Sequence, residues 1–217
     1  MPVAVKICGI NAPAALRAAA EGGADYVGFV FYPPSPRAVT PAAAAELAAA
    51  APPGLRKVAL VVDAEDARLR EILAAVPIDL LQLHGRESVA RVAEIRTRFG
   101  VPVMKVLKIA GAADVAAAAA YEPVVDRLLF DAKPPKDMKG ALPGGNALAF
   151  DWQLLAGRSW PVPWMLSGGL DAGNVAEAVR ISGANAVDVS SGVEDRPGVK
   201  NPDRIRAFIA AAKGAAG

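Results

Sequence analysis

This chain of 217 residues contains one cysteine and one histidine. A lone cysteine excludes an internal disulfide, and with no secretory signal it favours a reducing cytoplasm. A lone histidine excludes a multi-histidine metal site, and nothing has zinc-ligand spacing. Aromatic residues are only 6% of the chain and form no basic-aromatic stripe, which argues against a base-stacking surface. The net charge of +2 is too small to argue for nucleic acid or a membrane surface as partner. No apolar run reaches about 18 residues, so no transmembrane helix is expected. The opening Met1-Pro2-Val3-Ala4-Val5-Lys6 lacks the basic stretch and apolar core of a signal peptide.

What the chain does have is apolar residue, 53% of it, mostly Ala, Val and Leu, beside 21% charged residues. The length suits a single domain spanning 1–217. Such a chain buries roughly 70% of its unfolded surface, enough for a large core. Eight short β-type runs stand out: Val3–Cys8, Tyr26–Phe31, Lys57–Val62, Leu80–His84, Val101–Leu107, Arg127–Asp131, Val162–Leu166 and Ala186–Ser190. Most are continuously apolar, as strands buried on both faces should be.

Most runs are followed by a helical pattern. Asn11 is placed to cap a helix through about Gly22, and Thr40-Pro41 offers an N-cap and an N1 proline before an Ala-rich helix ended by Pro52-Pro53. Leu69, Ile72, Leu73 and Val76 form one apolar stripe, as do Val175, Ala178, Val179 and Ser182, with Gly183 as a C-cap. Asn201-Pro202 starts a last helix bearing Ile205, Phe208 and Ile209 on one face. Strand–helix alternation means parallel strands with right-handed crossovers. Eight units fit a closed (β/α)₈ TIM barrel. The competing layout, an open doubly wound sheet, binds ligands mainly at its switch point and would not need unusual residues after so many strands.

Those unusual residues fall after the strands, and in a barrel the loops there open onto the active-site face. Cys8 shares a strand face with Lys6, while Ile7 takes the other. It reads either as an inert buried thiol or as a reactive one whose pKa is lowered by a nearby cation. Asp131 reads as a loop cap or as a general acid in apolar surroundings. Arg37, stiffened by neighbouring prolines, reads as a solvated surface residue or as a bidentate carboxylate binder. His84 is either a structural residue or a substrate contact. Ser167-Gly168-Gly169 and Ser190-Ser191-Gly192 follow the last two runs, where such barrels often bind phosphate through backbone N–H groups. The stretch Ala132–Phe150 is the one long irregular segment; its Pro134-Pro135, three lysines and Gly144-Gly145 suggest a mobile cover that adds donors over a ligand.

The chain resembles the phosphoribosylanthranilate isomerases of tryptophan biosynthesis nearly from end to end. The resemblance is carried by Lys6-Ile7-Cys8-Gly9-Ile10, Gly23-Ala24-Asp25-Tyr26-Val27-Gly28-Phe29-Val30-Phe31, Ser35-Pro36-Arg37 and Leu81-Gln82-Leu83-His84-Gly85. It continues in Phe150-Asp151-Trp152, Leu166-Ser167-Gly168-Gly169-Leu170 and Asp188-Val189-Ser190-Ser191-Gly192-Val193-Glu194. It implies an Amadori rearrangement of N-(5-phospho-β-D-ribosyl)anthranilate to 1-(2-carboxyphenylamino)-1-deoxyribulose 5-phosphate. Carried over, Asp131 would be the acid, Cys8 the base, and Arg37 the holder of the anthranilate carboxylate. The loops at Gly168-Gly169 and Ser190–Gly192 would bind phosphate. Where the family's long loop usually reads Gly-Gly-Thr-Gly, this chain has Gly144-Gly145-Asn146-Ala147, and Ala147 narrows the backbone there.

Two other readings stand beside this one. A metal-dependent sugar-phosphate epimerase needs several His and Asp ligands, which one histidine does not supply. A non-catalytic phosphosugar-binding barrel would leave Cys8 and Asp131 dispensable. Monomer and homodimer are both compatible with the sequence.

Overall fold

The computed structural model describes residues 2–134, 144–146 and 148–215. Eight parallel strands close into a barrel: β1 (Ala4–Cys8), β2 (Tyr26–Val30), β3 (Arg56–Val61), β4 (Leu80–Leu83), β5 (Val103–Ile109), β6 (Arg127–Ala132), β7 (Trp164–Leu166) and β8 (Ala186–Val189). The expected (β/α)₈ architecture is therefore the one observed. The seam closes by β1 pairing with β8, with Lys6 opposite Asp188 and Ile7 opposite Val189.

Alternation along each strand separates two cores. Tyr26, Val58, Met104, Leu129, Met165 and Ala186 pack together inside the barrel. Ile7, Val27, Leu81, Phe130, Leu166 and Val187 point outward into the layer shared with the helices. On the outward side Phe130 packs against Trp160 and Trp164, with ring centroids 4.7 and 5.5 Å away. That cluster holds together β6 and β7, which carry Asp131 at the end of β6 and Ser167 just past β7.

The helices are α1 (Pro13–Gly22), α2 (Pro41–Ala50), α3 (Asp66–Ala75), α4 (Val89–Phe99), α5 (Ala112–Ala116), α6 (Val175–Ser182) and α7 (Pro202–Gly214). Thr40 accepts from the Ala43 N–H at 3.2 Å, as an N-cap should. Asn201 Oδ1 accepts from the N–H groups of Asp203 and Arg204 at 2.8 and 3.0 Å. Gly183 ends α6 in the left-handed region at φ 73°. Ile205, Phe208 and Ile209 are buried on α7, and its neighbour α1 approaches closely through Gly22.

Several expected boundaries need correction. Asn11 does not cap α1: the N-cap is Ala12, and Asn11 Nδ2 donates instead to the Gly198 carbonyl at 2.9 Å, tying the β1 loop to a distant turn. The fifth strand is displaced two residues toward the C-terminus, because Lys108 and Ile109 stay in the ladder opposite Asp131 and Ala132. The seventh begins only at Trp164, and Phe31, Val62, His84 and Ser190 lie just past the ends of their strands. Regular helix is also scarce after β5, where the five residues of α5 give way to 3₁₀ turns at Ala117–Ala120 and Glu122–Val124. An antiparallel ribbon, β9 (Glu194–Arg196) with β10 (Val199–Lys200), follows β8 and precedes α7.

Of the expected cover at 132–150, residues 135–143 and Ala147 lie outside the described residues. Among the described residues no helix is long and apolar enough to cross a membrane. Phe208 is fully buried between α7 and the barrel. Phe208→Ala should cost about 3–5 kcal/mol, read as a lower urea midpoint at unchanged slope.

Candidate active site

Parallel strands that end together present their last inward side chains to one opening. Here Cys8 from β1, His84 after β4, Asp131 from β6 and Asp188 from β8 line one cavity of about 480 Å³, with Arg37, Gly144, Gly145 and Ser190 at its walls. Asp131, Gly145, Ser167, Asp188 and Ser190 also line an adjoining space of about 350 Å³, completed by Asn146, Gly168, Gly169, Leu170 and Ser191. No lysine or arginine is among the described residues lining that second space. An anion there would be held by backbone N–H groups and hydroxyls. Gly168 and Gly169 have φ of 92° and 63°, and a Cβ on Gly168 would stand 2.7 Å from the Ala132 nitrogen. Both the turn and the close approach therefore require glycine. Gly192 does not line either space; it packs against the Leu170 carbonyl.

Cys8 is buried directly above Lys6 on the inward face of β1. Lys6 is fully buried, and its ammonium donates to Asp188 Oδ1 at 2.7 Å; Asp188 Oδ2 accepts from Ser167 Oγ at 3.3 Å. Gly28 leaves room for both side chains, since a Cβ there would stand 3.1 Å from Cys8 Sγ and 3.3 Å from Lys6 Nζ. Burial works against the Lys6 charge, but Asp188 and Cys8 outweigh it and hold its pKa above the ordinary value. Burial pushes the Cys8 thiol up; the attraction of Lys6 and Lys200 opposes this, and the Asp188 carboxylate adds to it. The depression expected from a neighbouring cation is thus outweighed by burial.

Asp131 Oδ1 accepts from the Ala132 N–H at 2.9 Å, and its Oδ2 lies 3.3 Å from His84 Nε2. Gln82 Nε2 lies 3.0 Å from His84 Nδ1. With Gln82 donating there, Nδ1 is the acceptor and Nε2 is the nitrogen that turns a hydrogen toward Asp131. Lys108, the ladder partner of Asp131, is half-buried beside it. Burial lowers the Lys108 pKa and the Asp131 carboxylate opposes that.

Arg37 is buried rather than solvated. Its Nε and Nη2 donate to Glu194 Oε1 and Oε2, both at 2.8 Å, and Nη2 also reaches the Gly145 carbonyl at 3.3 Å. Lys200 donates to Glu194 Oε1 at 2.7 Å and to the Ser190 carbonyl at 2.8 Å. Ser190 Oγ donates to the Cys8 carbonyl at 3.2 Å. Glu194 thus joins two buried cations and fixes the direction of Arg37. A Cβ on Gly145 would stand 2.5 Å from Arg37 Nη1, so the long loop closes over this guanidinium only with glycine there.

Sequence reasoning singled out Cys8, Arg37, His84, Asp131 and the glycine loops, and all but Gly192 meet at the two spaces. It gave no role to Asp188, Glu194, Lys200 or Lys108. The one available signal for the ribbon that brings Lys200 to Glu194 is the Pro197-Gly198 turn.

A barrel with buried charges and glycine turns at the C-terminal ends of its strands has them where TIM-barrel enzymes carry their active sites. A family model described as N-(5'phosphoribosyl)anthranilate (PRA) isomerase matches residues 5–211. The N-(5'-phosphoribosyl)anthranilate isomerase of Rhodospirillum centenum is 63% identical over 212 residues, covering 98% of this chain and 99% of that protein. The crystal structure of phosphoribosyl anthranilate isomerase from Thermotoga maritima is 37% identical, with a TM-score of 0.86 over 98% of this chain and 99% of that one. A further phosphoribosyl anthranilate isomerase structure, in complex with reduced 1-(o-carboxyphenylamino)-1-deoxyribulose 5-phosphate, is 34% identical with a TM-score of 0.83, over 98% of this chain and 99% of that one. The chain belongs to the N-(5'-phosphoribosyl)anthranilate isomerase family, isomerases of tryptophan biosynthesis.

Two buried carboxyl groups make stability pH-dependent. Against the opposing effect of burial, Lys105 holds Glu87 below the ordinary carboxylate range, and Arg37 and Lys200 do the same for Glu194. A depressed folded pKa contributes stability above the unfolded value of about 4.3, and that stability is lost as pH falls through the folded value. The melting temperature should therefore decline once pH drops below about 4. Glu87→Gln should lower it at neutral pH and flatten the acid decline, as read by calorimetry across pH.

Proposed function

We propose that the two joined spaces carry out the Amadori rearrangement of N-(5-phospho-β-D-ribosyl)anthranilate, with Asp131 as general acid and Cys8 as general base. The observation that carries this is the shared cavity: the sole thiol and a buried carboxyl group line it together, with an arginine at one wall and glycine turns at the other. The substrate carries two anionic groups, a carboxylate on its ring and a phosphate on its sugar. The phosphate fits the space walled by Gly168, Gly169, Ser190 and Ser191. Gly144 and Gly145 close over the junction, and Gly192 supports the last loop from behind. The anthranilate carboxylate is held by Arg37, whose direction Glu194 fixes through Nε and Nη2.

With both ends anchored, Asp131 gives its proton to the furanose ring oxygen. The C1′–O bond breaks and the ring opens to an iminium at C1′. His84 steadies the Asp131 carboxylate left behind. The iminium acidifies the C2′ proton, and the Cys8 thiolate removes it to give an enol-amine. Tautomerisation of that species yields the ketone. The burial that makes thiolate scarce also makes it a stronger base, which suits abstraction from carbon. The reading needs neither metal nor cofactor. It takes the substrate as the partner, either monomer or homodimer as the assembly, and the cytoplasm as the site of action, on the strength of the single free thiol.

Each group is tested by removing its proton chemistry without its shape. Cys8→Ser and Asp131→Asn should each reduce turnover by about 10²–10⁴-fold, while product binding measured by calorimetry survives. Turnover at the unaltered rate in either variant removes that residue from the mechanism. For the unaltered protein, kcat/KM should rise with pH from neutrality into the alkaline range, because the thiol titrates above its ordinary value. A fluorescence assay of phosphoribosylanthranilate disappearance reads all three.

A further inference from the structure

Lys6 is a fully buried ammonium with three hydrogens to place. Among the described residues Asp188 takes one of them at 2.7 Å, and the Cys8 side chain is the other group that interacts with the ammonium. An ion pair kept only to fill the barrel has a cheaper alternative, since apolar residues of similar volume are often neutral or stabilising in its place. The pair sits directly below Cys8, and Gly28 keeps the space between Nζ and Sγ clear of any side chain. Asp188 is itself fixed by Ser167, and the strand register of the closing seam sets it opposite Lys6.

We propose that Lys6, anchored by Asp188, is a positioning residue that supplies the counter-charge for the Cys8 thiolate. The proposal rests on the reading of Cys8 as the base. With a neutral thiol, Lys6 and Asp188 balance each other. When the thiol loses its proton, the ammonium is shared between carboxylate and sulfur, and its remaining hydrogens are free for Sγ. Asp188 therefore has two opposed effects: it keeps Lys6 charged and in place, and it competes with the thiolate for that charge. The other charged and titratable groups around the thiol are Lys200, already committed to Glu194, and Arg37, His84 and Asp131 across the cavity.

The opposed signs make the proposal testable in the full chain. Cys8 is the only cysteine, so the thiolate's ultraviolet absorbance against pH, with Cys8→Ser subtracted, follows this one group. Lys6→Gln should move the thiol midpoint upward and lower kcat at about neutral pH by about tenfold or more, with KM little changed. Asp188→Asn should move the midpoint downward, because it removes a competing negative charge. In Lys6→Met/Asp188→Asn, which leaves no unpaired buried charge, the midpoint should lie above that of Asp188→Asn. This pair of variants carries the test if Lys6→Gln does not fold. Midpoints that stay at the unaltered value, or that move in the same direction in Lys6→Gln and Asp188→Asn, overturn the proposal. So does a double variant whose thiol titrates with that of Asp188→Asn. The titration does not depend on turnover, so full activity in Cys8→Ser would remove the base assignment and leave the effect of Lys6 on the thiol measurable.

Discussion

Closure of the sheet is the constraint on which the rest of this molecule depends. β1 bonds to β2 on one side and to β8 on the other, and that second pairing sets Lys6 opposite Asp188 across a sequence gap of 182 residues. Once the barrel is closed, alternation leaves no choice about which side chains face inward. Every second residue fills the interior, and the last one on each strand reaches the open end. Cys8, Asp131 and Asp188 converge because they share that place in their strands, and His84 joins them just past the end of β4.

Charge at the mouth is organised in buried sets. Lys6, Asp188 and Ser167 form one beneath the thiol, and Arg37, Glu194 and Lys200 form another beside it. Burying such groups is expensive, and removing one member leaves its partner uncompensated at a cost of about 3–5 kcal/mol. What the sets provide is fixed direction. Glu194 grips one edge of Arg37, and Gly145 lies against the other. The space walled by Gly168, Gly169, Ser190 and Ser191, by contrast, has no cationic side chain among its described lining, so the proposed phosphate would rely on backbone and hydroxyl donors. The two ends of the proposed substrate thus meet two different kinds of anion site, a division that suits a carboxylate at one end and a phosphate at the other.

The barrel was legible because parallel strands buried on both faces leave short apolar runs, and caps such as Thr40 and Asn201 mark helix starts. The reading failed where function put polar residues into regular structure. Lys108 is charged, so the fifth strand looks finished at Leu107, yet the ladder runs on to Ile109 and sets Lys108 beside Asp131. Asn11 has the chemistry of a cap, but the turn at Gly198, 187 residues away, takes its amide. The ribbon of Glu194–Arg196 with Val199–Lys200 is too short to show a period. Its ion pair and the Lys6–Asp188 pair exist only through tertiary contact. Spacing therefore located the thiol and the carboxyl group, while the groups that set their charge came from closure of the sheet.

The central claim is that Cys8 and Asp131 address one sugar from within a single cavity. A crystal structure of this protein with reduced 1-(o-carboxyphenylamino)-1-deoxyribulose 5-phosphate tests it most directly. The account predicts phosphate between Gly168-Gly169 and Ser190-Ser191, the carboxylate on Arg37, and Cys8 Sγ within about 3–4 Å of C2′. A ligand whose C2′ lies out of reach of Sγ, or whose phosphate sits elsewhere, would contradict it.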